Sequence, residues 1–138
     1  MNREEAMSES PQFCCEPVKL HADARGCVFE PLSPDEIPAQ RNVHYVSSEP
    51  GAIRGNHYHR RGTEIAVALG RTLVRVRHGD VIRDFVVPAG EAWRFVFPPG
   101  IAHAFKNIGD QAAALIAFNT EPHDPAQPDV VREVLIES

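Results

Sequence analysis

The sequence predicts an all-β chain, folded as a sandwich or barrel, and three observations carry that prediction. Between 42 and 119 the chain breaks into short segments separated by turn formers at even intervals: HGD at 78–80, PAG at 88–90, PPG at 98–100 and IGD at 108–110. Short segments so punctuated read as strands paired in a sandwich or barrel. Within them apolar and polar side chains alternate. In TLVRVRH, Val74 and Val76 take one face and Arg75 and Arg77 the other, and in AWRFVF, Trp93, Phe95 and Phe97 oppose Arg94. A period of two belongs to a half-buried strand. AAALIAFN, by contrast, is apolar at both parities, as a strand covered on both faces must be, whether central or at a subunit interface.

In chain order, residues 1–11 are polar and are expected to fray. Residues 12–138 should form one domain. From 13 to 29 the chain reads as short extended pieces broken at Asp23 and Gly26, and 31–38 is a proline-rich loop or short turn. Strands are expected over 42–48, 53–59, 64–69, 72–77, 81–87, 92–97, 103–107 and 113–119. Beyond them Pro122, Pro125 and Pro128 exclude regular structure. The final VVREVLI reads equally as a helix capped by Asp129 or as an edge strand.

Composition narrows the function. The chain has 138 residues, 43% hydrophobic and 24% charged, with a net charge of -5, and its longest basic run is Arg60-Arg61. That balance argues against binding nucleic acid by charge neutralisation. No apolar segment approaches a membrane span, and MNREEAMSES lacks the apolar centre of a signal peptide, so the cytoplasm is expected. Three cysteines, Cys14, Cys15 and Cys27, agree, since an odd number closes no disulfide framework.

The stretch GAIRGNHYHRRGTE, 51–64, carries the chemistry. Strand alternation puts His57 and His59 on one face, and a following turn can return Glu64 to the same place. A second stretch, PPGIAHAFKN at 98–107, brings His103 from another strand. His57, His59, Glu64 and His103 make a mixed nitrogen and oxygen set for a divalent transition metal: zinc, iron, manganese or nickel. The other histidines, His21, His44, His78 and His123, have no partner at ligand spacing and read as surface or capping residues.

These two motifs, Gly51…His57-x-His59…Glu64…Gly70 and Pro98-x-Gly100…His103…Asn107, resemble the paired motifs of the cupin superfamily. The resemblance implies a double-sheet jelly-roll barrel with a metal or substrate site inside. Gly70 falls one residue early for the pattern, and Gly90 lies farther before Pro98 than expected.

A wider resemblance implies a substrate. DARGCVFE, QRN and SSEPGAIRGNHYH look like the N-terminal half of the deoxysugar-nucleotide 3,5-epimerases, whereas RGNHYH, PPGIAH, NIGD and NTEPHDPAQPD are similar to the C-terminal cupin domain of capsular-polysaccharide nucleotide-sugar epimerases and reductases. By that analogy His57 removes the proton beside a sugar ketone, Arg54 contacts the diphosphate, and Arg25, Glu30, Gln40 and Asn42 belong to the substrate site. The capsular type implies His59, Glu64 and His103 as metal ligands, leaving His57 as either a fourth ligand or a free base. The tyrosine and aspartate of the downstream half of the 3,5-epimerases have no clear counterpart. Among tyrosines, Tyr45 and Tyr58 qualify as a general acid by residue type only.

The expected function is therefore epimerisation or isomerisation of a nucleotide-linked keto-deoxysugar, in a homodimer. A metal-dependent dioxygenase and a non-catalytic sugar-binding or sensory cupin remain as alternatives.

Overall fold

A computed structural model describes residues 12–138, so the expected frayed segment 1–11 lies outside the described residues. Twelve strands are present among them: β1 (Cys14–Pro17), β2 (His21–Asp23), β3 (Gly26–Val28), β4 (Asn42–Ser48), β5 (Ile53–His59), β6 (Glu64–Leu69), β7 (Thr72–His78), β8 (Val81–Val87), β9 (Ala92–Phe97), β10 (Ala102–Asn107), β11 (Ala113–Asn119) and β12 (Val130–Arg132). The eight expected between 42 and 119 are all there, with β7 one residue longer at its end and β10 one residue longer at its start. The tail forms an edge strand and no helix. Asp129 accordingly caps nothing helical.

Two five-stranded sheets, in the orders β1-β9-β6-β11-β4 and β12-β5-β10-β7-β8, face each other, with β2 and β3 forming a separate hairpin. All pairings are antiparallel. Alternation sends Ala66, Ala68, Phe95, Phe97 and Leu115 from the first sheet against Val74, Val76, Val87 and Phe105 from the second. Phe95 and Phe97 are fully buried, and Trp93 packs at the margin of this core. The outer face of β11 is covered too: Phe118 and Ile116 join Ile65, Val96 and Leu32 in a smaller cluster, which explains its two-sided apolar sequence. Arg75 and Arg77, on the outward face of β7, are paired with Asp84 and Glu133.

One irregularity positions the site. In the pairing of β5 with β10, His57 lies opposite His103 but Gly55 lies opposite Ala104, so Asn56 is an extra residue in β5. Such a bulge re-aims the side chains beyond it. Both Gly55 and Asn56 have positive φ, at 83° and 59°. A Cβ on Gly55 would sit 2.8 Å from the His103 carbonyl oxygen, so only glycine fits. Asn56 tolerates its left-handed conformation and uses its buried amide to hold the C-terminal tail: Oδ1 accepts from the backbone N–H of Leu135 and Ile136 at 2.8 and 3.1 Å, and Nδ2 donates to the Ile136 carbonyl at 3.0 Å. Asn56→Ala is expected to destabilise the protein by about 2–4 kcal/mol, through lost buried hydrogen bonds and left-handed strain. Asn56→Gly, free of the strain, should lose about 1 kcal/mol less. Urea midpoints check this, and equal losses in the two variants would show that the backbone conformation constrains nothing.

Candidate metal and substrate site

His57 and His59 come from the inner face of β5, His103 from its neighbour β10, and Glu64 from the start of β6 in the opposite sheet. One donor atom from each lies within 4.8 Å of the others. The sequence-predicted set is thus brought together. Glu64 Oε1 is 3.2 Å from His59 Nε2, and Glu64 Oε2 is 3.0 Å from His103 Nε2. His103 is fully buried and stacks on Phe97, with ring centroids 3.9 Å apart.

The surroundings of His103 test the fit of a cation. Its Nδ1 lies 2.9 Å from the Ile101 carbonyl oxygen and so carries a proton that it donates there. Its Nε2 is buried and makes no hydrogen bond although Glu64 Oε2 is 3.0 Å away. A buried ring nitrogen without a hydrogen-bond partner beside a carboxylate is a donor pair that a cation would satisfy. Nitrogen and oxygen donors in this number suit a divalent transition metal, so the residues present fit one.

The charges follow from the packing. Burial disfavours ionisation of Glu64, but His103 and then His59 outweigh it and hold the carboxyl well below its usual range. Burial likewise works against the charged form of His59, yet the hydrogen bond and charge of Glu64, with Asp129 behind, raise its pKa. His57 goes the other way: burial first, then the neighbouring His103, pulls it down to about 4, against the opposing charge of Glu64.

Two cavities meet at Glu64. One, of about 180 Å³, is lined by Arg54, His57, Glu64, His44 and Leu115. The other, of about 200 Å³, lies under the proline-rich tail and is lined by His59, Glu64, His44, Asn42, Asn119 and Asp129, among others. Arg54 reaches the first cavity because of the bulge. Three positions from His57, it would point away in an unbroken strand. Its Nη2 donates to the Ser47 carbonyl at 2.8 Å and its Nε to Ser48 Oγ at 3.2 Å.

The remaining predicted substrate residues separate. Asn42 lines the second cavity. Gln40 donates from Nε2 to the Glu36 carbonyl, and its Oε1 is buried without a partner. Arg25 sits in the β2–β3 hairpin, exposed and paired with Asp23, and Glu30 lies on a surface groove with Glu16 and Arg94. Neither Arg25 nor Glu30 lines either cavity at Glu64.

Three residues of the site were missed in the sequence. His44 shares the inner parity of β4 with Val46, which was the available signal. Asn119 ends β11 and registers directly opposite Glu64 on one side and Asn42 on the other. Asp129, nearly buried, accepts from the backbone N–H of Arg61 and Gly62 at 2.7 and 2.9 Å and places Oδ2 3.5 Å from His59 Nδ1. A carboxylate behind a ligating imidazole fixes its tautomer and orientation. Gly62 leaves room for this arrangement, since a Cβ there would collide with Asn119 Oδ1 and come within 2.9 Å of Asp129 Oδ2. Asp129→Asn is expected to weaken metal affinity about 10–100-fold, measured by competition with a chromophoric chelator; unchanged affinity would reduce Asp129 to a loop anchor.

Three histidines and a glutamate gathered inside a double-sheet jelly roll define a cupin barrel. Within that class, the chain belongs to the polysaccharide biosynthesis C-terminal domain family, whose model matches residues 21–131. It is 25% identical over 128 residues to the spore coat polysaccharide biosynthesis protein SpsL of Bacillus subtilis, covering 81% of each chain. Among solved structures it is similar to the capsular polysaccharide assembling protein CapF of Staphylococcus aureus, at 29% identity and a TM-score of 0.64, covering 86% of this chain but 35% of CapF, so that it spans about a third of that protein's length. The fold is also that of QdtA, a sugar 3,4-ketoisomerase from Thermoanaerobacterium thermosaccharolyticum determined with TDP, at 17% identity and a TM-score of 0.69, with 88% of each chain covered.

Proposed function

We propose that this chain is a metal-dependent isomerase or epimerase of a nucleotide-linked keto-deoxysugar. The observation that carries the reading is that His57, alone among the three clustered histidines, opens into the cavity that also holds Arg54. Similarity to CapF, and to QdtA, a sugar 3,4-ketoisomerase, supports it.

In this reading His59, Glu64 and His103 hold a divalent zinc, iron, manganese or nickel ion, which when bound supplies Lewis-acid polarisation of a carbonyl. His57 is the base that takes the proton from the carbon beside the ketone. Its depressed pKa keeps the ring neutral at pH 7, with a lone pair to offer. Arg54 binds the diphosphate, a task suited to its fixed planar fork, and Asn42 is within the adjoining cavity to meet the sugar or base. Arg25, Glu30 and Gln40 stay in the proposal as outer substrate contacts. Cytoplasmic location and a homodimer belong to the same reading; Val43 and Tyr45, exposed on the outer face of the edge strand β4, offer an apolar surface to a second copy.

The test is to incubate the metal-loaded protein with a TDP- or UDP-4-keto-6-deoxyhexose in deuterated water and follow mass and proton spectra. Solvent deuterium on the carbon beside the ketone is expected. Sugar recovered without deuterium would sink the assignment.

A further inference from the structure

Resting on that reading, we propose that His44 is a second proton-transfer residue of this site, working from the sheet opposite His57. Moving a hydrogen from one face of a carbon to the other needs a donor that the abstracting base cannot itself be without turning the substrate. The cavity of about 180 Å³ is walled by β5 of one sheet and by β4 and β11 of the other. A sugar ring in it therefore has His57 on one side and β4 on the other. Alternation puts Asn42, His44 and Val46 on the inner face of β4, and the ladder sets His44 beside Ala117, which lines the same cavity.

Elimination leads to the same residue. The titratable side chains lining this cavity are His44, Arg54, His57 and Glu64. Arginine does not release a proton near neutral pH, and Glu64 is held ionised between two histidines. Neither tyrosine considered from the sequence competes: Tyr45 faces outward, 69% exposed, and Tyr58 lines neither cavity at Glu64. His44 is also oriented for the task. Its Nδ1 lies 3.0 Å from Asn42 Oδ1, which accepts a hydrogen bond from Nδ1–H and leaves Nε2 as the exchanging atom. It is exposed at the mouth of both cavities, so water can restore its proton after each turnover.

The proton balance closes without a further reactant. His57 takes the proton from the carbon beside the ketone, leaving an enolate and an imidazolium. His44, entering the cycle protonated, delivers its Nε2 proton to the other face of that carbon, and the electron pair of the enolate forms the new C–H bond. His57 then returns its proton to solvent and His44 recovers one.

The experiment compares His44→Gln, His57→Gln and the unaltered protein, all metal-loaded, acting on TDP-4-keto-6-deoxyglucose in deuterated water, with metal content measured on each. His44 is outside the donor cluster, so His44→Gln should keep its metal. It should also keep deuterium uptake beside the ketone within about 10-fold of the unaltered protein while forming rearranged product about 100-fold more slowly or worse. His57→Gln should lose both. A merely structural role for His44 would reduce uptake and product together, and that outcome overturns the proposal, as does product formed at the unaltered rate. Absence of both uptake and product with the unaltered protein overturns the isomerase reading itself, and the role of His44 with it.

Discussion

Glu64→Gln is expected to abolish metal retention. The side chain is nearly isosteric, so the barrel should close around it as before, but it is the one anionic donor among four and it faces both His59 Nε2 and His103 Nε2. Losing a supporting carboxylate behind a ligand costs about 10–100-fold in affinity, and losing the ligand's own charge should exceed about 100-fold. Elemental analysis after dialysis checks this. Stability separates the charge from the metal. Because the folded-state pKa of Glu64 is depressed, the carboxyl contributes stability that is present above its unfolded value and lost as pH falls through the folded one. In metal-free protein, Glu64→Gln should therefore remove part of the acid limb below about pH 4.5. Retained metal at full stoichiometry would mean that the three histidines suffice and that Glu64 is a structural partner to them.

The strand positions and the gathering of His57, His59, Glu64 and His103 were legible because both rest largely on local rules. Alternation and turn formers delimit β4 to β11 within one residue at either end, and the His-x-His spacing forces His57 and His59 onto one face whatever the rest of the chain does. What escaped depends on pairs remote in sequence. Asp129 meets His59 across 70 positions, and its own neighbourhood of prolines suggested only a loop and a cap. Asn119 acquires its place from register opposite Glu64. His44 had the inner parity of its strand but no partner at ligand spacing, and its place at the site comes from the cavity between two sheets, which no single segment encodes. Arg54 is the instructive intermediate case. Strict alternation opposes it to His57, resemblance alone joined them, and the physical cause is the Gly55-Asn56 pair, whose tolerance of positive φ permits the bulge. Such a pair in mid-strand is a readable signal for a re-aimed side chain.

The second large effect is expected at His57. His57→Gln should lower turnover by about 10²–10⁴-fold, the range for removing a general base, while leaving the metal in place. The distinction from a fourth ligand rests on geometry: His57 lines the Arg54 cavity, and His59 and His103 do not. Acid stability supplies an independent readout. A histidine whose folded pKa is pulled down to about 4 refuses, in the folded state, a proton that the unfolded chain accepts below about 6.5. The contribution of His57 to folding of the metal-free protein therefore becomes less favourable as pH falls from about 6.5 to about 4, and a non-titrating glutamine removes it. The full shift corresponds to about 3 kcal/mol, reduced to about 1–2 kcal/mol because the ring is partly open to the cavity and its charge partly screened. Urea midpoints at pH 7 and pH 4.5 should thus lie closer together in His57→Gln than in the unaltered protein. If the variant instead loses its metal along with its turnover, His57 is a ligand, and the proton must be taken by another residue of that cavity.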